Sequence, residues 1–497
     1  MADDLAYVRS EEAPLLAPPA NMVGVRGWVM ANLFPNLPNA ILTGVALLFI
    51  YWVLSFILGW AVFRAVFVGE NRDPCAIEGA GACWPYVMAK FPQWIYGFYP
   101  IGERWRVNVC FLLGAMALVP MLMPTAPYKT WNALFLLILF PLICLILLTG
   151  GHFALSFSAF TRLASLLALV AAFLPLAVYG IEDGVHIAKP GLVLLGLGIA
   201  VWLVSFVASL GAVESFLGSV SIARALSFAL FVAAGVYGLL QVASSGNPAS
   251  RSALRSWGIL ALGLVAAMLL LKIDFGLQYV ETQQWGGLLV TLVVAITGIV
   301  ASLPLGILLA LGRRSTMPIV KWFSISFIEV WRGVPLITVL FMASVMLPLF
   351  LPPGTNFDKL TRALIAIAIF SAAYMAEVVR GGLQAIPRGQ LEAAQALGLP
   401  YWNMMNLVVL PQALKIVIPG IVNSFISLFK DTTLVAVVGL YDLLNIISAG
   451  SADAKWSSPQ TGPTGYFSAA ALFWIFCFTM SRYSQSVERR LNTGHKR

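Results

Sequence analysis

Charge is what this sequence has least of. Only 10% of its 497 residues are Asp, Glu, Lys or Arg, against about a quarter in a soluble domain. A water-soluble chain of this length would expose far more charge, which excludes a soluble globular protein. Histidine is scarce too: His152, His186 and His495 lie far apart, with no metal-ligand spacing. The five cysteines are scattered, and only Cys75 and Cys83 lie close together, in a polar stretch. No Gly-x-x-x-x-Gly-Lys-Ser/Thr phosphate loop occurs, so this chain is not expected to hydrolyse ATP. No cofactor motif is read. The short alternating strands of a porin-like barrel are missing. The first 25 residues are polar, with Asp3, Asp4, Glu11 and Glu12. They lack a basic segment followed by an apolar core, so a solvated tail is expected rather than a cleaved signal peptide.

What is present is apolar length. Sixty per cent of the residues are hydrophobic, and the mean hydropathy is +0.89. A transmembrane helix needs roughly 20 mostly apolar residues. Windows of that kind fall at about 40–66, 107–124, 131–149, 163–180, 191–210, 223–242, 255–272, 285–311, 333–351, 361–380, 416–438 and 466–484. The expected fold is therefore all-α, a polytopic transmembrane bundle of about twelve spans. Residues 67–106, rich in Gly, Pro, Trp and Tyr, read as a wet loop. The block 152–275 has few charges and reads as an insertion. No clear internal repeat is found.

Orientation follows from Lys and Arg. Arg313, Arg314 and Lys321, then Arg380 and Arg388, then Arg482, Arg489, Arg490, Lys496 and Arg497 all fall on one side of the bundle. That side is assigned to the cytoplasm, with both termini. The net charge of +9 is thereby read as loop anchoring, not as nucleic-acid binding. The loop at 67–106 then faces outward, although Arg72, Lys90, Arg104 and Arg106 lie in it. In an oxidising compartment Cys75 and Cys83 are either a disulfide or two free thiols.

On the cytoplasmic side stands EAAQALGLP, residues 392–400. Gln390 to Leu397 is strongly helix-forming, and Gly398 is placed to end that helix. A second short helix is expected from Tyr401 to Val409, with a change of direction at Pro411. Ala393, Ala394 and Ala396 leave little side-chain bulk, and Glu392 adds a charge for orientation. The physics alone leaves two readings, an ordinary amphipathic connector or an elbow that docks on another protein.

Glu392, Ala393 and Ala394, three residues, Gly398, then Leu410 and Pro411 resemble the EAA motif of bacterial ATP-binding-cassette importer permeases. The resemblance covers about 276–497. ETQQWGGLLVTLVVAITGIVASLPLGILLALGRRS, FIEVWRGVPLITVLFM and SLFKDTTLVAVVGLYDLL look like core segments of the polar amino-acid permeases. CWPYVMAKFPQWIYGFYPIGERWRVN, residues 83–108, resembles the outer loop of the general L-amino-acid permeases of the Aap/Bzt type. This implies a type I importer core of about five helices at 276–485, preceded by about seven hydrophobic segments and followed by a basic tail at 486–497. It also implies that the elbow at about 387–411 docks on a cytoplasmic ATPase dimer. The further partners implied are a second permease subunit, a periplasmic amino-acid-binding protein and the amino acid itself.

An ionisable residue inside a span is a functional-site hypothesis by default. Lys430 and Asp431 lie within an apolar run, and Asn423, Ser427, Lys430 and Asp431 recur at i+3 and i+4 spacing. This polar stripe reads either as the lining of a substrate path or as a structural pairing. Glu329 and Arg332 read as interfacial anchors before a turn inward at Pro335, and Glu377 with Arg380 as either an intrahelical pair or a brace for the elbow. A secondary carrier of about twelve spans is the rival, but such carriers usually show internal repeats. An embedded enzyme would need a cluster of nucleophile, acid and base that the sparse Cys and His do not supply. A scaffold would have no use for an ATPase-docking elbow.

Overall fold

The computed structural model describes residues 24–123, 125–151, 185–210, 220–244, 275–350 and 358–491. They divide into two compact units, Met1–Ala89 with Ser451–Gly465, and Lys90–Gly450 with Tyr466–Arg497.

In the first unit α1 (Gly24–Asn32) leads into α2 (Leu37–Leu58). The Asn36 side chain accepts from the Asn39 amide and caps α2. Pro38 sits in the first turn, where its missing N–H would have had no partner. No residue of α2 is buried within the chain, as suits an apolar helix of spanning length. A small polar lobe follows. The Arg72 amide donates to the Lys455 carbonyl, the Cys83 amide to the Thr464 hydroxyl, and the Trp60 indole N–H to the Gln460 side chain. Cys75 and Cys83, with Cα atoms 5.6 Å apart, are joined as a disulfide.

The reading of 67–106 as one loop needs correction. Trp84–Tyr96 forms α3 despite Pro92 within it. Burial of Tyr86 and Trp94 outweighs the weak local propensity.

In the second unit come α4 (Arg104–Leu122) and α5 (Phe140–Thr149). Arg106 is 1% exposed, yet it is partnered: it meets Glu103 at 2.6 Å and donates to the Gln278 carbonyl at 2.7 Å. From the block 152–275, α6 (Val185–Leu210) and α7 (Val220–Ser244) are described. They pack on each other through Leu195, Phe231 and Ala234. The runs expected at 163–180 and 255–272 lie outside the described residues.

The rest of the second unit is a close-packed bundle. Its helices are α8 (Gly287–Arg313), α9 (Pro318–Gly333), α10 (Leu336–Val345), α11 (Lys359–Ala385), α12 (Arg388–Ala396), α13 (Leu410–Asp431), α14 (Leu443–Ser451) and α15 (Thr461–Leu491), the last beginning in the first unit. α8 lies along α11, and α11 along α13. Small residues permit this. A Cβ on Gly306 would stand 2.7 Å from the Met375 Cβ, and one on Gly382 would stand 2.6 Å from the Ala413 carbonyl oxygen. Close approach of this kind is the usual source of helix association in lipid.

The bundle's first strand of chain meets an earlier segment backbone to backbone. A Cβ on Gly97 would fall 2.3 Å from the Gly286 Cα, and one on Gly287 would fall 2.0 Å from the Trp94 carbonyl oxygen. Gly287 also has φ +61°, a left-handed conformation that glycine adopts without strain.

Among the described residues, seven helices are long and apolar enough to cross a membrane. The number is eight if α9 and α10, bent by 102° at Val334–Pro335, count as one span. The expected runs that fall on described residues are mainly helical, but the one at 333–351 is broken at Val334–Pro335 and again at Met346, and the one at 40–66 ends its helix at Phe63.

Candidate functional site

The elbow is built by helix-ending chemistry. α12 stops at Ala396, and Gly398 takes φ +72°. The Gly398 amide donates to the Gln395 carbonyl at 2.9 Å, and the Leu399 amide to the Ala394 carbonyl at 3.2 Å. These two bonds form a Schellman cap, which satisfies carbonyls that the helix leaves open. Pro400 then precedes a new helical turn at Tyr401–Met404.

The expected change of direction at Pro411 does not occur. Residues Tyr401–Val438 form one continuous helical run. A π turn at Met405–Val409 comes just before Pro411, and the Leu410 amide reaches back to the Met405 carbonyl. The wider turn makes room for the proline ring, so the helix absorbs it.

The three alanines do not share one surface. Glu392, Ala393 and Ala396 are exposed, and Leu397 is 80% exposed. Ala394 is buried, at 3%. It packs in a cluster with Met404, Met405 and Val409 of the elbow, with Ile386 just before it, and with Ala310 of α8, Met375 and Val379 of α11 and Ala413 of α13. The elbow thus presents Glu392, Ala393 and Gly398 outward and is pinned inward to three helices. Leu410 and Pro411 carry the chain into α13.

Above the elbow lies a charged knot. Glu377 of α11 meets Arg380 at 2.7 Å, Arg313 of α8 at 3.0 Å and Arg332 of α9 at 3.8 Å. Arg313 also meets Glu329 at 3.0 Å. The Glu377–Arg380 pair is the one expected from their i+3 spacing, whereas Arg313, expected as a loop anchor, also meets carboxylates. Only the fold brings it to the carboxylates.

Asn423, Ser427 and Lys430 are exposed along α13, and Asp431 is half-buried. Among the described residues neither Lys430 nor Asp431 has an ion-pair partner within 4.0 Å. Adjacent residues on a helix do not face each other.

One carboxylate escaped the sequence reading. Asp442 is fully buried and accepts from the Leu444 amide at 2.9 Å and the Asn445 amide at 3.3 Å, capping α14. Burial pushes its carboxyl up to about 6, against the opposing pull of those amides. An Asp just before an apolar helical run is a capping signal, and it was there to be read.

Residues 302–493 match the family model described as "Binding-protein-dependent transport system inner membrane component". The chain is 38% identical over 468 residues to the inner membrane amino-acid ABC transporter permease protein YhdY of Escherichia coli (strain K12), covering 94% of this chain and 93% of that protein. It is 40% identical over 505 residues to the glutamate/glutamine/aspartate/asparagine transport system permease protein BztC of Rhodobacter capsulatus, covering 99% of this chain and all of that one. The latter alignment runs across the block 152–275 and does not stop at its edges. A solved amino acid ABC transporter chain is 32% identical over 41% of this chain and 92% of its own length, with a TM-score of 0.37.

Proposed function

The chain belongs to the binding-protein-dependent inner-membrane permeases of amino-acid ABC transporters, and from that premise we propose how its parts divide the work. It is a multi-pass permease subunit of an amino-acid importer, and the rival reading as a secondary carrier falls with that membership. ATP is bound and split by a separate cytoplasmic ATPase dimer. Closure of that dimer displaces the elbow at 387–402. Ala394 and its neighbours carry the displacement into α8, α11 and α13, and the bundle opens toward a periplasmic binding protein. Hydrolysis resets it. A ligand shifts such states only through its differing affinity for them, so the binding protein and ATP must each favour the outward form.

The observation that carries this reading is the two-sided elbow. Its outer surface is small, bent and charged, while its inner surface is fixed in the bundle's core. The stripe of Asn423, Ser427 and Lys430 supports a substrate path. A lysine facing lipid at mid-bilayer costs roughly 2.5–3.5 kcal/mol, so the stripe faces a watery cleft shared with a second permease subunit. L-amino acids pass there, with Lys430 meeting the substrate carboxylate. Both termini lie in the cytoplasm, and the lobe stapled by Cys75 and Cys83 lies in the periplasm.

The test is ATP-driven uptake of labelled amino acids in proteoliposomes holding this chain, its partner permease, the ATPase and the binding protein. Gly398→Asp keeps the turn accessible but sets a charge on the outer surface. Loss of uptake with the assembly intact supports the elbow as the coupling element. Unimpaired, ATP-dependent uptake assigns coupling to the partner subunit alone.

A further inference from the structure

Beside the elbow is a cleft of about 450 Å³, lined by Arg314, Leu383, Gln384, Arg388, Glu392 and Gln395 among others. Two features set it apart from an ordinary crevice. Its polar walls come from three separate places in the chain: the turn after α8, the end of α11 and the outer side of α12. Its charges are also unspent. Arg388 and Glu392 stand at i and i+4 spacing, within reach of each other but in the less favourable basic-first order, and neither side chain has an ion-pair or hydrogen-bonding partner among the described residues. Arg314, in contrast, is held in place, because its Nη1 donates to the Leu383 carbonyl at 3.2 Å. One fixed guanidinium and one free guanidinium thus share a cleft with one carboxylate.

Resting on the docking role proposed for the elbow, we infer that this cleft receives a carboxylate side chain of the ATPase, gripped between Arg314 and Arg388. The permease then holds its ATPase through two segments of the chain, the elbow and the turn after α8. The excess positive charge at this site selects an acidic side chain. Magnitude decides against a free amino acid as the occupant. Arg314, Arg388 and Glu392 are all exposed, and an exposed charge contact is worth at most about fivefold in affinity. Three such contacts give a free zwitterion a dissociation constant on the order of 10 mM at best. A side chain on a subunit already docked at the elbow meets the cleft at a far higher effective concentration, so the same weak contacts suffice. Glu392 opposes a second carboxylate and thereby fixes which part of the cleft the incoming one occupies.

The experiment measures binding of the ATPase to the permease pair in nanodiscs across a salt series. The variants are Arg314→Glu, Arg314→Lys, Arg388→Glu and Gly398→Asp, each checked for intact assembly by size exclusion. Arg314→Glu and Arg388→Glu are each expected to weaken binding at least tenfold at low salt and to flatten its salt dependence. Arg314→Lys keeps the charge and should stay within about threefold of the parent. In a panel of ATPase surface variants, one Asp or Glu to Lys change should restore binding to Arg314→Glu. If Arg314→Glu binds normally while Gly398→Asp does not, the inference is overturned and the elbow role stands. If neither matters, both are overturned. Equal damage from Lys and Glu at position 314 would assign Arg314 to holding Leu383 alone. Displacement of the ATPase by 1 mM free amino acid would give the cleft to a small molecule. Either of those results also overturns the inference.

Discussion

One oxygen of Glu377 stands 3.0 Å from the Arg313 guanidinium, while its other oxygen stands 2.7 Å from that of Arg380. A single carboxylate therefore fastens the end of α8 to α11. The Glu377 side chain is only 16% exposed, which places it between surface pairs worth about 1 kcal/mol or less and buried ones whose breakage costs about 3–5 kcal/mol. Glu377→Gln is expected to destabilise the solubilised protein by about 2 kcal/mol, read as a lower melting temperature. Combining it with Arg380→Gln should cost clearly less than the two changes summed. Simple additivity would show that the two residues do not act together.

The cost of changing Gly398 is conformational, because a Cβ there meets nothing within 4 Å. Asn tolerates the left-handed region and β-branched residues do not. Gly398→Asn should therefore keep most uptake, while Gly398→Val should lose it at a strain of about 1–2 kcal/mol. Equal activity of the two variants in proteoliposome uptake would refute the role of the turn.

Asp442 makes stability depend on pH. Its folded value of about 6 lies above the usual value of about 3.9 for an unfolded Asp. The folded state thus holds its proton more tightly. The stabilisation is complete below about pH 4 and is lost as pH rises through about 6, a change of roughly 3 kcal/mol. Melting temperature should fall between pH 5 and pH 7.5. Asp442→Asn, which can still cap α14, should flatten that slope, and a slope that persists would place its origin elsewhere.

If Lys430 lines the path, Lys430→Met should cut uptake at least tenfold with ATPase docking unchanged. If it faces lipid, the same change relieves roughly 2.5–3.5 kcal/mol, raising stability and leaving uptake alone. Uptake and melting measured on one preparation separate the two.

The helical bundle was legible in the sequence because apolar length is a strong signal. Gly398 was legible because a glycine after a helix-forming run has few other uses. Ala394 was not. The spacing of Ala393, Ala394 and Ala396 gives three small residues, and only packing against Met404 and Val409 decides which one turns inward. Pro411 misled for a related reason, since a π turn five residues long cannot be read from composition. Arg313 and Glu377 lie 64 residues apart, and no local pattern links them. Trp84–Tyr96 reads as loop by the propensities of its prolines and aromatics, whereas burial of Tyr86 and Trp94 decides the outcome.

Gly97 and Gly286 touch backbone to backbone, and Gly287 faces the Trp94 carbonyl just as closely. This limits how the protein can be taken apart. A core cut free at about residue 276 would bare a strip of main chain with no side chains to shield it. A hybrid joining this core to another leader would need a bare Cα where Gly97 stands. The leader and the core are fitted to each other at three atoms' width, and a change to either side of that crossing must be matched on the other.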